Sequence, residues 1–322
     1  MYRFVIVLVL AGCYSPSYRD CQFQCSSVDT CPAGMECNGN VCRLEGFSGP
    51  CVAMEVDAEV SDGAPGDMPE MLDWTTPVEV VLGGGPWSSP TLNADESEMF
   101  LEGSNAEIFR TIRGATTWGP PVLANGIEAA GAHNLSPMLS RDAKTIYFGT
   151  DRGLPAPDVW RATRTNATDT SFQGATVMSQ AQLNIADKND SGGSVTADGN
   201  LILFTSDRGA TIAIYSSMIS GGGWGAPVLV SELDSGDSDS HPSITADGNT
   251  VVFTSNRLGA DYDIYIATRT DRSMPFSNPM RIPAMSAPAT PEVDPWISGD
   301  GTVIYFGKGI SANRKIYRST RN

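Results

Sequence analysis

The strongest constraint on this chain is a unit that recurs five times. The segments PTLNADESEMFLEGS, PMLSRDAKTIYFGTDRG, GSVTADGNLILFTSDRG, PSITADGNTVVFTSNRLG and PWISGDGTVIYFGKG begin at Pro90, Pro137, Gly193, Pro242 and Pro295, at spacings of 47, 56, 49 and 53 residues. Each is followed by a further β-type run: Glu107–Arg113, Asp158–Arg164, Ala213–Ile219, Asp263–Arg269 and Lys315–Arg321. In the first four units a fourth run follows, such as GAPVLVSEL. Four short strands in a repeat of about 50 residues have the dimensions of a propeller blade and exclude stacked helix pairs. Asp198-Gly199, Asp247-Gly248 and Asp300-Gly301 fall between the first and second strands and supply the positive φ of a tight hairpin. The first two units carry Asp95-Glu96 and Asp142-Ala143 there, so another turn type is expected in them. The fifth unit stops after its third strand, and PVEVVL, Pro77–Leu82, is the run available to supply the missing outer strand and close the ring. The expected fold is all-β, a five-bladed β-propeller over residues 77–322, preceded by a small N-terminal disulfide-rich module.

Composition agrees. The chain has 33 glycines and 21 prolines among 322 residues, which suits many short elements joined by turns. Lys plus Arg number 21 against 37 Asp plus Glu, a net charge of −16, so a nucleic-acid partner is excluded for want of a basic face.

The N-terminus reads as an address. MYRFVIVLVLAGC has one basic residue, Arg3, then an apolar run far shorter than the roughly 20 residues that span a bilayer, then small residues. Residues 1–12 are therefore expected to be a signal peptide. The sequence Leu10-Ala11-Gly12-Cys13 resembles the lipobox of bacterial lipoproteins, and the resemblance implies that Cys13 is diacylated and becomes the first mature residue, anchoring the chain to the membrane. Tyr14 stands where that family's inner-membrane retention signal is Asp, which implies the outer membrane. Residues 13–51 hold the other six cysteines, Cys21, Cys25, Cys31, Cys37, Cys42 and Cys51. An exported segment this short reads as three disulfides, with the pairing open among 15 connectivities. It has no histidine and no C-x-x-C pair, which speaks against a metal site. Residues 52–76 carry seven acidic and no basic residues and are expected to form an extended acidic linker.

The repeat pattern P-x-[ILW]-[ST]-x-D-G-x-x-[IV]-x-F-x-[ST]-x-R-x-G followed by D-I-Y, nearly complete in the unit at Pro242, resembles the TolB-type, WD-like propeller repeats of bacterial envelope proteins. The resemblance spans Pro77 to the last residue. It implies an exported propeller with a noncatalytic role in binding or scaffolding an envelope protein. The TolB pattern has six blades and an added α/β domain, which this sequence does not provide, so no particular TolB partner is implied.

Arg152, Arg208 and Arg257 recur at one position of the repeat, as do Asp158 and Asp263, and recurrence points to a structural role. Loops that enter the inner strands converge at one mouth of a propeller's channel. They carry Ser89, Ser136, Asp190, Asp239, His241 and Asp294, with Glu292 and His133 nearby. Asp190, Asp239, His241 and Asp294 are the candidate ligand-binding residues. They describe an acidic funnel suited to a cation or a basic peptide, with His241 adding pH sensitivity. No G-x-S-x-G elbow accompanies the serines, and no cofactor or metal is called for. The acidic run Asp234–His241 lacks EF-hand spacing. The alternative function is a surface carbohydrate-active enzyme, a glycoside hydrolase with paired carboxylates such as Asp190 and Asp294, or a lectin.

Overall fold

A computed structural model describes residues 35–38, 41–44, 73–178, 183–220, 223–259 and 261–322. The chain divides into two units, Met1–Gly66 and Asp67–Asn322. In the first, strands Met35–Asn38 and Val41–Leu44 pair as an antiparallel hairpin with Met35 opposite Leu44. The expected signal peptide, Cys13, Cys21, Cys25, Cys31, Cys51 and the linker as far as residue 72 lie outside the described residues. For Cys37 and Cys42 only the strand backbone is described, so the expected disulfides are outside as well.

The second unit is all-β, with no helix among its described residues, and its strands form a five-bladed propeller. The inner strands are Trp87–Leu92, Asn134–Leu139, Asp190–Val195, Asp239–Ile244 and Glu292–Ile297. Each pairs antiparallel with the next strand of its own blade, and neighbouring blades touch through these inner strands. Second strands such as Leu201–Ser206 are buried along their whole length because blades pack on both faces. The core is therefore divided among the seams between blades, with Phe100, Phe148, Phe204, Phe253 and Phe306 in the same place in every repeat and all buried. Trp87, Trp224 and Trp296 are buried in blade packing.

The ring closes as the orphan run suggested. Val78–Glu79 pairs antiparallel with the last strand, Lys315–Thr320, placing Glu79 opposite Tyr317. The seal extends outward through Thr75 N–H to Thr320 O and Val80 N–H to Ile316 O, both 2.8 Å.

One expectation needs correction. Glu96 and Ala143 have φ of 54° and 57°, close to the 71°, 79° and 76° of Gly199, Gly248 and Gly301. All five hairpins thus share one turn, and the first two tolerate it without glycine. The reason is the preceding aspartate, whose Oδ1 accepts the N–H two residues on in every blade, at Ser97, Lys144, Asn200, Asn249 and Thr302. This side-chain turn holds the backbone in the left-handed region whatever residue occupies it.

Candidate functional site

The third residue of each inner strand sits at a β-bulge, and its backbone is left-handed throughout. The five are Ser89, Ser136, Gly192, His241 and Asp294, with φ of 48°, 50°, 63°, 51° and 56°. A bulge re-aims the side chain it carries, and here it delivers one residue per blade to the channel. Positive φ in four non-glycine residues is a local strain of the kind that clusters at functional positions. Three N–H groups of this ring are taken by the second strand of the preceding blade. Ser136 donates to Glu102 at 2.9 Å, His241 to Thr205 at 2.8 Å and Asp294 to Thr254 at 2.9 Å. The residue equivalent to these acceptors in blade 5 is Gly307, with no side chain to offer, and Ser89 N–H instead donates to Asp294 Oδ2 at 3.3 Å.

The ring brings together residues 105 positions apart. Ser136 Oγ lies 3.2 Å from His241 Nε2, and His241 Nδ1 lies 3.2 Å from Asp294 Oδ1 and 3.1 Å from Ser240 Oγ. That is the order of a serine–histidine–aspartate relay. The reactive oxygen is nevertheless sealed: Ser136 is 4% exposed, and the free space enclosed by Ser89, Ser136, His241 and Asp294 is about 10 Å³, room for a single water at most. Ser136 N–H, a natural oxyanion donor, points instead at the carboxylate of Glu102. Burial raises the Glu102 carboxyl above its usual range, and the nearby Asp294 charge adds to the shift. At the far end Arg141 reaches from blade 2 to the carbonyl of Ile244 in blade 4, with its guanidinium 5.5 Å from the Trp296 ring. Burial pulls its pKa down to about 10.

His241 and Asp294 therefore face each other at the channel, whereas Asp190 and Asp239 are turned away from it. Both aspartates are the first residues of their inner strands and fully buried. Asp190 Oδ1 pairs with Arg208 at 2.6 Å and Asp239 Oδ1 with Arg257 at 2.7 Å. Asn134 and Arg152 repeat the motif at 2.7 Å in blade 2. Each arginine also donates to a loop carbonyl, Ile127, Leu183 or Leu233, and stacks on two aromatic rings of its blade, as Arg257 does at 5.2 Å from Phe253 and 4.7 Å from Tyr265. Glu292 occupies the same position in blade 5 and meets Lys308 at 3.0 Å; burial pushes its carboxyl up to about 7. These acids fasten blades. His133 lies out on the rim with Asp151, 2.7 Å away.

What opens above His241 is a cleft of about 360 Å³ over blades 3, 4 and 5. Its walls hold Asn189, Asp207, His241 and Asp294, and the hydroxyls of Thr205 and Thr254. Three residues overlooked in the sequence stand at its edge: Ile212, Tyr262 and Arg314. They are equivalent, each immediately preceding the third strand of its blade, so the repeat alignment itself contained the signal. Because Asp190 and Asp239 are neutralised and Arg314 is added, the mouth is a mixed, hydroxyl-rich surface instead of an acidic funnel.

The fold is shared with solved structures of other proteins. The GH62 α-L-arabinofuranosidase catalytic domain of Coprinopsis cinerea aligns with a TM-score of 0.55 at 12% identity, over 79% of this chain and 98% of that one. The α-L-arabinofuranosidase PaAbf62A of Podospora anserina, solved with cellotriose, gives 0.54 at 13% identity, over 80% and 99%. A TolB homologue from Agrobacterium tumefaciens gives 0.47 at 16% identity, over 70% and 71%. At these identities the likeness is one of fold. No protein-family model matches the sequence, and no curated protein matches it.

Proposed function

We propose that this propeller is a noncatalytic binding module, exported and anchored in the outer membrane through a lipidated Cys13, whose ligand or envelope partner is taken by the cleft over blades 3 to 5. The observation that carries the reading is the contrast between an open cleft of about 360 Å³ and a channel beneath it with about 10 Å³ of free space. Concave, polar-edged clefts of about 300–1,000 Å³ are the usual size of ligand sites. The groups with catalytic potential lie below it: Ser136 under His241, and Glu102 against Ser89 and Ser136. Carboxylates elsewhere in the inner strands are tied to Arg208, Arg257 and Lys308.

A glycoside hydrolase is the second reading. It is favoured by the fold shared with arabinofuranosidases and by Asp294 and Glu102 flanking one channel. A panel of soluble polysaccharides offered to the purified protein separates the two. Retention without release of reducing sugar, or capture of an envelope protein, is expected for the binding module. Turnover that disappears in Asp294→Asn would establish the hydrolase.

A further inference from the structure

We infer that the cleft over blades 3 to 5 recognises an acidic sugar, a glycan residue bearing a carboxylate, with Arg314 as the group that selects its charge. This rests on the cleft being the binding site, as proposed above. Arg314 Nε donates to Gly309 O at 3.2 Å, and Nη1 stays 3.7 Å from Asp294 Oδ2, beyond hydrogen-bond range. Among the described residues no hydrogen bond occupies its two terminal nitrogens. Arg152, Arg208 and Arg257 differ, each being tied by Nη2 to an inner-strand side chain of its own blade. Beyond its Nε bond, Arg314 is held at the cleft wall by a loose ion pair with Asp294, and a guanidinium with no hydrogen bond on its terminal nitrogens is matched to a carboxylate, which it holds by two parallel bonds.

The rest of the cleft fits a polyol better than a peptide. Thr205 and Thr254 line the cleft but are buried, and through Oγ1 they accept the N–H groups of His241 and Asp294, which fixes those two residues at its wall. Asp207 receives Asn189 N–H at 2.9 Å, and its carboxylate edges the cleft as an acceptor for sugar hydroxyls. Tyr262 and Ile212, the latter 42% exposed, offer a ring and an apolar face for the C–H side of a pyranose. A peptide that binds by adding a strand needs an open strand edge for its backbone. The inner strands bordering the cleft pair with the second strands of their blades, and on the other side the N–H groups of His241 and Asp294 are taken by Thr205 and Thr254.

The test is calorimetric titration of the full chain with three probes: trigalacturonate, the neutral xylotriose and a tripeptide with a free C-terminal carboxylate. Trigalacturonate should bind, xylotriose should bind at least about tenfold more weakly, and Arg314→Met should erase that difference while Arg314→Lys keeps part of it. Thermal melting of both variants verifies folding. Equal affinity for xylotriose, or no binding of trigalacturonate, overturns the acidic-sugar assignment. Tighter binding of the tripeptide overturns it in favour of a carboxyl-terminal peptide. Tyr262→Ala and Ile212→Ser report on the cleft itself: if they abolish whichever probe binds, the cleft reading stands even where that probe is not trigalacturonate and the ligand class has failed. If probe binding or envelope-protein capture survives both, the cleft reading fails.

Discussion

Replacing Asp239 separates a fastening role from a ligand-binding one. Its carboxylate is fully buried, with Arg257 Nη2 at 2.7 Å on Oδ1 and the N–H and Oγ of Ser235 both at 2.7 Å on Oδ2. Asp239→Ala removes all three acceptor contacts and leaves the Arg257 guanidinium against two aromatic rings with Leu233 O and Ser255 Oγ as its remaining partners. Breaking one side of a buried ion pair costs about 3–5 kcal/mol. For a domain of this size each kcal/mol moves the melting temperature by about 2–4 °C, so the expected fall is roughly 6–20 °C. Calorimetry or circular dichroism reads it directly. Asp239→Asn keeps one acceptor for Arg257 and should lose less. In the double variant with Arg257→Met the two losses should be markedly less than additive, because the orphaned cation is gone. His241→Ala, at a half-exposed position, should shift melting by little. If Asp239→Ala melts within about 2 °C of the parent while probe binding at the cleft disappears, Asp239 is a ligand residue and the fastening argument is wrong.

Deleting Pro77–Leu82 should destabilise the whole propeller by opening the edge of the strand Lys315–Thr320; an unchanged melting temperature would mean closure does not depend on this run. Gly199→Ala should cost about 1–2 kcal/mol in urea unfolding, purely from backbone strain, since φ is 71° and no atom lies within 4 Å of the added Cβ. Glu292 binds its proton more tightly folded than unfolded, so its stabilisation is present at low pH and is lost as pH rises from about 4.5 to about 7. Glu292→Gln should flatten that slope, and an unaltered pH profile would refute the assignment. Cys13→Ser should leave an unprocessed precursor, and normal processing with detergent-phase partitioning would dismiss the lipid anchor.

The blade count, the strand order and the closing run were legible because one unit recurs five times with an Asp in each first turn, and one β-type run was left over to complete the last blade. The site was legible only in part. Asp190 and Asp239 looked like mouth residues because they enter inner strands, yet each has an arginine 18 positions on, as Asn134 has Arg152. That constant spacing is the mark of a repeated fastener, and it was present in the sequence. The meeting of Ser136, His241 and Asp294 was not, since it depends on bulges in three different blades and on ring closure. Nor was the left-handed backbone at Glu96 and Ala143, where a neighbour's side chain imposes the conformation.

The pairing of Val78–Glu79 with Lys315–Thr320 also sets an order of events in time. Its first strand is among the earliest of the propeller to be synthesised, and its second is the last. The four preceding blades can assemble in sequence from local hairpins, but the fifth has to wait for a contact nearly the full length of the domain away, and such distant pairings form slowly. A chain made from its N-terminus therefore exists first as an open arc and becomes a ring only once its final strand arrives. Truncation within Lys315–Thr320 would leave that arc permanently open, with two unpaired edges exposed to proteases and to other arcs.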